Sequence, residues 1–258
     1  MKTILGKQSS AMVIGLLVGV LCMSVRADVV LLSDDLSTLN SFSNSTITAG
    51  VSFETDGANA VFTGGDGAGD RAKLVSVNAF DFNPGGSAYE SVTLEFTTSC
   101  SSATADRFEV GLIYASGVKY YDNSLSKESN VRGAVVSLTG TDYPAGLVFN
   151  YASGTAPGGT AVGASAVTGE HTYKIVFTST GTELFLDGIS QGTTADVLDF
   201  SMDYNVVAFG QGYDTRPKTL NDVTLSAVIP EPATTGMMIL GAVGMIWLRR
   251  LHAGQFKA

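Results

Sequence analysis

Histidine and cysteine are scarce in this chain, with two of each in 258 residues. Cys22 lies in an N-terminal stretch with the features of a cleaved signal, so the mature body keeps Cys100 alone and cannot form an intrachain disulfide. Cys100 is then a small buried thiol or, as the alternative, bridges to another chain. Mononuclear zinc sites use several His or Cys ligands, and the body's single histidine, His171, is predicted to be structural. A zinc enzyme is therefore disfavoured.

Basic residues are also few. Between Asp28 and Ile229, nine lysines and arginines stand against 23 acidic residues, a formal charge of −14. Such a surface repels phosphate backbones and anionic lipids, so no nucleic acid partner is expected. Calcium, which takes oxygen ligands from acidic loops, remains a candidate cofactor at Asp66 and Asp70 in the glycine-rich stretch 64–70, although a solvated turn explains this stretch as well.

Helical periodicity is nearly absent from residues 28–229. Short alternating or β-branched runs recur between turn residues, which is typical of an antiparallel β-sandwich or barrel. In Ser91–Thr98, for example, Val92, Leu94 and Phe96 alternate with polar residues, which predicts one buried face. The predicted strands are Val29–Leu32, Val51–Glu54, Ala60–Thr63, Ala72–Ala79, Ser91–Thr98, Arg107–Ala115, Val118–Asp122, Val131–Leu138, Gly146–Tyr151, His171–Ser179, Glu183–Leu186, Val206–Gly210 and Asp222–Val228.

Two neighbouring runs form a predicted hairpin. His171-Thr-Tyr-Lys-Ile-Val-Phe leads through the turn Ser179–Thr182 into Glu183-Leu-Phe-Leu, which ends at Asp187-Gly188. This hairpin resembles that of laminin-G-like and concanavalin-like jelly rolls, and the runs Leu31–Leu36 and Asn221–Ala227 agree with the resemblance. It implies that residues 28–229 form one all-β, antiparallel jelly-roll β-sandwich whose first and last strands pair.

Residues 1–27 have the composition of a secretory signal peptide. Lys2 and Lys7 precede the apolar stretch Ala11–Met23, and small residues lead up to a predicted cleavage between Ala27 and Asp28. We therefore expect export, with Asp28 as the mature N-terminus.

The segment 230–258 combines a proline motif, an apolar run and a basic pair. Pro230, Glu231 and Pro232 precede sixteen uncharged residues, 233–248, and Arg249 and Arg250 follow. As a helix this run would reach about 24 Å, which is short for a hydrocarbon core of about 30 Å. The basic pair predicts that its own end stays cytoplasmic and that the body faces outward.

This arrangement resembles the PEP-CTERM sorting signal of bacterial envelope proteins. The resemblance implies recognition by an exosortase, a membrane transpeptidase, and cleavage near Pro230–Pro232. The body would then be anchored in the inner membrane only transiently before it reaches the cell surface or extracellular matrix. The alternative is an ordinary C-terminal anchor that stays in place.

The jelly-roll fold also includes polysaccharide hydrolases, so catalysis must be tested. Retaining hydrolases need two carboxylates about 5 Å apart, which in laminarinase-like families come from Glu-x-Asp-x-x-Glu on one strand. Here Glu54 and Asp56 begin that pattern, but Asn59 replaces the second glutamate. We therefore expect a protein that is not an enzyme.

Tryptophan is missing from the body, because Trp247 lies in the C-terminal segment. Any aromatic platform for a sugar must then be built from tyrosine, and Tyr120, Tyr121, Tyr143 and Tyr213 fall near strand ends or loops. The sequence predicts a non-enzymatic surface or matrix protein associated with exopolysaccharide. The alternatives are a calcium-dependent carbohydrate-binding module and a polysaccharide hydrolase with an unrecognised site.

Overall fold

The computed structural model describes residues 27–64, 69–100, 107–123, 125, 131–138, 146–150, 161–164, 168–212 and 217–230. Residues Asp28–Ile229 form one compact unit. The first eight described strands are β1 (Ala27–Asp34), β2 (Phe42–Thr46), β3 (Phe53–Thr55), β4 (Ala60–Phe62), β5 (Asp70–Ser76), β6 (Phe80–Asp81), β7 (Ser91–Cys100) and β8 (Arg107–Tyr114). The next eight are β9 (Gly133–Ser137), β10 (Gly146–Asn150), β11 (Val162–Gly163), β12 (Gly169–Thr178), β13 (Thr182–Leu186), β14 (Ile189–Thr194), β15 (Asp203–Gly212) and β16 (Lys218–Ile229).

These strands form two sheets. Sheet A has the order β14-β13-β12-β7-β16-β4-β3, with β1 also paired to β16. Sheet B has the order β11-β10-β9-β8-β15-β5-β2, with β6 also paired to β15. The predicted antiparallel β-sandwich is confirmed, as is the predicted pairing of its first and last strands.

The main core lies between the sheets and follows the alternation in the sequence. Val92, Leu94 and Phe96 on β7 are fully buried, and Glu95 between them is exposed. On β12, Tyr173 faces the same core and stacks on Phe96, with ring centroids 5.6 Å apart. A period of two residues along each strand therefore sets which side chains the sandwich encloses.

One predicted strand is wrong. Val118–Asp122 does not form a strand; a 3₁₀ helix occupies Ala115–Tyr120. The β-branched Val118 and two tyrosines favour a strand locally. Gly117 and the packing of Tyr121 against sheet B favour a tight turn instead, and tertiary packing decides the outcome.

Strands β2, β6, β11 and β14 were not predicted. Strand β2 lies at the edge of sheet B, and Phe42 is its one apolar side chain. Its sequence therefore lacks the alternation of apolar and polar residues that predicts a strand. Before β14, Asp187 and Gly188 have φ values of 51° and 77°, as a two-residue type I′ hairpin requires. The Asp-Gly pair that was predicted to end a strand therefore joins β13 to β14.

A second apolar cluster covers the outer face of sheet B. Val135, Val148, Val207 and Phe209 point away from sheet A and are almost completely buried. They are covered by residues 115–123 and 125, which we call the covering segment. Its Tyr121 is fully buried and lies 5.2 Å from Phe209 between ring centroids. Sheet B is thus buried on both faces over much of its width.

Several sequence predictions fall outside the described residues, namely the signal peptide before Ala27 and the apolar run 233–248. Among the residues that are described, no helix combines the length and the apolar character needed to cross a bilayer.

Candidate functional site

Lys73 on β5 holds the covering segment against sheet B. Its side chain points to the outer face and is only 5% exposed. The ammonium Nζ donates to the carbonyl oxygens of Val118 (2.8 Å) and Tyr121 (3.1 Å) and to Oδ1 of Asp122 (3.0 Å). A buried cation needs such partners, because desolvation without them is costly. Lys73 therefore attaches the segment to sheet B at three points.

Glu109 on β8 forms a second buried attachment. Its Oε2 accepts hydrogen bonds from the hydroxyl of Tyr121 and from the backbone N–H of Leu125, the latter at 3.0 Å. The side chain of Glu109 is 3% exposed. Its carboxylate is engaged by its own chain and is shielded from a substrate. The assignment of Tyr121 to a sugar platform is wrong, because the side chain faces the core.

An open groove lies beside the covering segment on the outer face of sheet B. Its volume is about 640 Å³. Strands β2 and β5 form one wall, and the covering segment forms the other. We call it the β2–β5 groove. The polar side chains that line it include Ser43, Ser45, Lys73, Lys119, Asp122 and Asn205.

Several of these groups are available to a ligand. The hydroxyls of Ser43 and Ser45 make no side-chain hydrogen bond to any residue that the structure describes. Asn205 donates through Nδ2 to the carbonyl oxygens of Ser76 (2.8 Å) and Asn78 (3.1 Å), which fixes the amide orientation and leaves Oδ1 as an acceptor. The Asp122 side chain is 57% exposed. Hydroxyl, amide and carboxylate groups therefore converge on one open surface.

A second groove offers less. It has a volume of about 420 Å³ and lies where β12, β13 and β14 turn, lined mainly by threonines. The hydroxyls of Thr178, Thr182 and Thr194 donate at 2.8 Å to Gly181 O, Asp196 O and Asp196 Oδ2. These donors already stabilise the loops, so this groove is the weaker candidate.

His171 and Asp187 form the one described ion pair that could suggest acid–base chemistry. The distance from Nδ1 to Oδ2 is 2.7 Å, and Oδ1 of Asp187 accepts from the N–H of Thr172 at 3.0 Å. The hydrogen bond from His171, followed by that from Thr172, lowers the pKa of Asp187 below its usual value. The other ring nitrogen contacts the carbonyl oxygen of Thr168 at 3.4 Å. The pair joins β12 to the β13–β14 turn, in agreement with a structural histidine.

Comparison with known proteins identifies the fold. No family model and no curated protein matches the sequence. Among solved structures, the carbohydrate recognition domain of Emp47p matches with a TM-score of 0.53 and 14% identity over 75% of this chain and 93% of that one. Peanut lectin matches with a TM-score of 0.55 and 12% identity, over 80% of this chain and all of that one. A galectin-like protein of unknown function from Bacillus subtilis gives a TM-score of 0.53 and 11% identity, over 80% and 100% of the two chains.

The chain has a lectin-like jelly-roll fold. This confirms the concanavalin-like part of the sequence prediction, whereas the finer laminin-G-like assignment stays a prediction. At such low identity the likeness concerns the fold alone.

The two described members of the predicted tyrosine platform, Tyr120 and Tyr121, differ in exposure. Tyr120, in the 3₁₀ helix of the jelly roll, is 51% exposed, and the Nζ of Lys119 lies 4.8 Å from its ring centroid. Tyr143 and Tyr213 lie outside the described residues. Among the described tyrosines of the predicted platform, Tyr120 is the one that is exposed, and it lies next to residues that line the groove.

The candidate metal site is described only in part. Asp70 begins β5 and is half-buried, and Asp66 lies outside the described residues. Within the described part of the jelly roll, no three His, Cys, Asp or Glu side chains come close enough to hold a metal ion. Calcium binding at Asp66 and Asp70 stays a prediction.

The described processing residues lie at exposed positions. Ala27 and Asp28 begin β1, and Pro230 follows the last residue of β16; all three are exposed. Glu231, Pro232, Arg249 and Arg250 lie outside the described residues. Cleavage at either end therefore stays a prediction.

Lys73, Asn205 and Asp122 were missed as site residues. Lys73 lies between Ala72 and Leu74, which are both fully buried on the opposite face. A charged residue between two apolar residues of a strand is a detectable signal of a charged side chain on the outward face. The location of Asn205 and Asp122 beside it depends on strand pairing and on the covering segment, which the sequence does not reveal.

Proposed function

We propose that this protein is a non-enzymatic, lectin-like carbohydrate-binding domain of the bacterial cell surface or extracellular matrix. The observation that carries the proposal is the open β2–β5 groove, which is lined by Ser43 and Ser45, whose hydroxyls have no partner in the described chain, and by the largely buried amide of Asn205. Sugar hydroxyls both donate and accept hydrogen bonds, and such groups match them. The similar domain of Emp47p is named a carbohydrate recognition domain, and the peanut protein is named a lectin. Their similarity to this chain is in the fold and supports the proposal at that level.

The carboxylates of the described groove support binding rather than hydrolysis. Retaining and inverting glycosidases both use two carboxyl groups that flank the scissile bond. Asp122 is the one carboxylate among the groove's lining residues, and it accepts a hydrogen bond from Lys73. Glu109 on the same sheet face is buried under Tyr121 and Leu125. Release of reducing sugar from a β-glucan or alginate would contradict this part of the proposal.

A glycan array can test the binding proposal with a folding-neutral variant. The Ser43→Ala/Ser45→Ala double variant removes two hydroxyls that have no partner in the described chain, so it should leave stability unchanged. If each hydroxyl donates one hydrogen bond to a sugar, at about 0.5–1.5 kcal/mol, affinity should fall by about fivefold to about 150-fold. Ser226→Ala, on the outer face of sheet A, is the matched control.

The array result has clear alternatives. Selective retention of glycans by the wild type, weakened in the double variant and unchanged in Ser226→Ala, supports the proposal. No retention of any glycan, or equal retention by all three proteins, would refute it. Repeating the array with a chelator tests the calcium-dependent alternative, which requires that retention be lost.

The location of the protein is part of the proposal. The signal-like residues 1–27 and the PEP-CTERM-like segment 230–258 support export followed by exosortase processing, and the exposed positions of Ala27 and Pro230 are compatible with access by both proteases. Intact mass of protein extracted from the cell surface should correspond to a chain that begins at Asp28 and lacks Trp247. A surface species that retains Trp247 would favour a permanent anchor.

A further inference from the structure

The apolar part of the β2–β5 groove is aliphatic. Its apolar lining residues are Ile47, Val75, Val77, Ala115 and Val118. Val75, Ile47 and Val118 pack against the second apolar cluster on the outer face of sheet B and are partly buried. Val77 lies two residues beyond Val75, so both valines project to this face. Branched side chains and one alanine therefore form the apolar surface that the groove offers to a ligand.

Val77 is the most accessible of these apolar groups. Its side chain is 61% exposed, although its backbone N–H is fixed by a hydrogen bond to the carbonyl oxygen of Ser41 at 2.8 Å. A single exposed valine is common on protein surfaces. This one, however, continues the apolar strip of Val75 inside a groove. Binding of an apolar group here would remove surface from water on a backbone that is already ordered.

Hydroxyl groups lie directly beside this aliphatic strip. Ser43 pairs with Val75 across β2 and β5, and Ser45 pairs with Lys73. The Cβ atoms of directly paired residues are about 5 Å apart, which is close to the width of one sugar ring. A single ring can therefore contact a valine and a serine hydroxyl at the same time.

The kind of apolar group that fits depends on the absence of aromatic rings. None of the described lining residues is aromatic. A flat aromatic ring suits the flat face of a sugar, because the two surfaces touch over a wide area. Valine side chains present separate methyl groups with hollows between them, and dispersion contacts require close approach. A projecting methyl group of a ligand fits such a surface better than a broad ring face does.

We infer that the β2–β5 groove selects sugars that carry a methyl group, as 6-deoxyhexoses and acetylated sugars do. This inference rests on the proposed function and specifies its ligand class. The methyl group contacts Val75 and Val77, and a neighbouring ring hydroxyl bonds to Ser43. Burial of one methyl group favours binding about fourfold. A hydroxymethyl group at the same place would lose water without gaining a partner from valine.

Matched sugars that differ in this group test the inference. L-rhamnose and L-mannose differ by a methyl in place of a hydroxymethyl group, as do L-fucose and L-galactose. N-acetylglucosamine and N-formylglucosamine differ by one methyl group. Each sugar is coupled at equal density to the same neutral polymer, and the Kd is measured. We expect a methyl-bearing sugar to bind about fourfold or more tightly than its partner. The pair that shows this preference distinguishes a deoxy sugar from an acetylated one.

A variant of Val77 tests whether the groove is responsible. Val77→Thr replaces one methyl group by a hydroxyl of similar size, and threonine suits extended backbone as well as valine does. It should weaken binding of the preferred methyl-bearing sugar about twofold to fourfold and change that of its partner less than about 1.5-fold. Val30→Thr is the matched control, because Val30 on β1 of sheet A is 62% exposed. It should leave both affinities unchanged.

The outcomes separate this inference from the proposed function. If the glycan array retains glycans but no methyl-bearing sugar binds more tightly than its partner, the methyl preference is refuted while carbohydrate binding stands. Equal effects of Val77→Thr and Val30→Thr would also overturn it. If no coupled sugar binds and the glycan array is empty as well, the proposed function itself fails.

Discussion

Replacement of Lys73 by methionine should release the covering segment and lower the free energy of unfolding by about 3 kcal/mol. Methionine retains most of the apolar stem but removes three hydrogen bonds to Val118, Tyr121 and Asp122. Removal of one partner of a buried charge pair costs about 3–5 kcal/mol, and unsatisfied carbonyl groups add to this. The low end of that range applies, because the Asp122 carboxylate is more than half exposed and can be rehydrated.

Thermal and urea unfolding would measure this change. For a domain of about 200 residues, 3 kcal/mol corresponds to a decrease in Tm of about 6–12 °C. Lys174→Met is the matched control, since Lys174 lies on the outer face of sheet A and should change stability by less than about 0.5 kcal/mol. Hydrogen exchange adds a local readout: the amide of Tyr121, which donates to Val118 O at 3.1 Å, should exchange faster in Lys73→Met.

Three results would refute the reasoning. If Lys73→Met is as stable as Lys174→Met, the buried lysine is not a structural attachment. If stability falls but the Tyr121 amide stays protected, the loss of free energy does not arise from the covering segment. A larger loss in Lys73→Met than in Asp122→Asn is also required, because Lys73 has two further acceptors.

Two other substitutions test the core and the hairpin. In Gly210→Ala, the added Cβ would lie 2.4 Å from the buried ring of Phe62, so the free energy of unfolding should fall by about 2–3 kcal/mol. Gly163→Ala is the control and should be neutral, because no atom lies within 4 Å of the added Cβ. Denaturant unfolding of the two variants measures the difference. In Asp187→Asn, loss of the charged bond to His171 should cost about 0.5–1 kcal/mol near pH 6. Because folding lowers the pKa of Asp187, its contribution is present above about pH 4 and is lost as pH falls further, so both proteins should become equally stable in acid.

The sequence predicts the sandwich well because each core strand carries its own signal. Val92, Leu94 and Phe96 alternate with polar residues, and the alternation alone places them between the sheets. Strand β2 carries no such signal, because an edge strand with one exposed face needs only Phe42 to attach it to the core. The missing strands are therefore edge strands, where burial constrains composition least.

The candidate groove could not be predicted in the same way. Ser43 and Asn205 are 162 positions apart in the chain and lie in one groove because β2 pairs with β5 and β5 pairs with β15. The sequence predicts a strand in the covering segment because Val118, Tyr120 and Tyr121 favour a strand by composition, but the segment forms a 3₁₀ helix. Long-range pairing and side-chain anchors decide such positions.

The formal charge of the body illustrates the limit of composition most directly. A net charge of −14 is a valid argument against polyanions only if the charges are spread evenly over the surface. In this jelly roll, Arg71, Lys73 and Arg107 share the outer face of sheet B because β5, β15 and β8 are adjacent. Asp81 and Asp203 lie on the same face, because β6 pairs with β15. The neighbours of each charged side chain therefore depend on the register of the strands, which composition alone does not give.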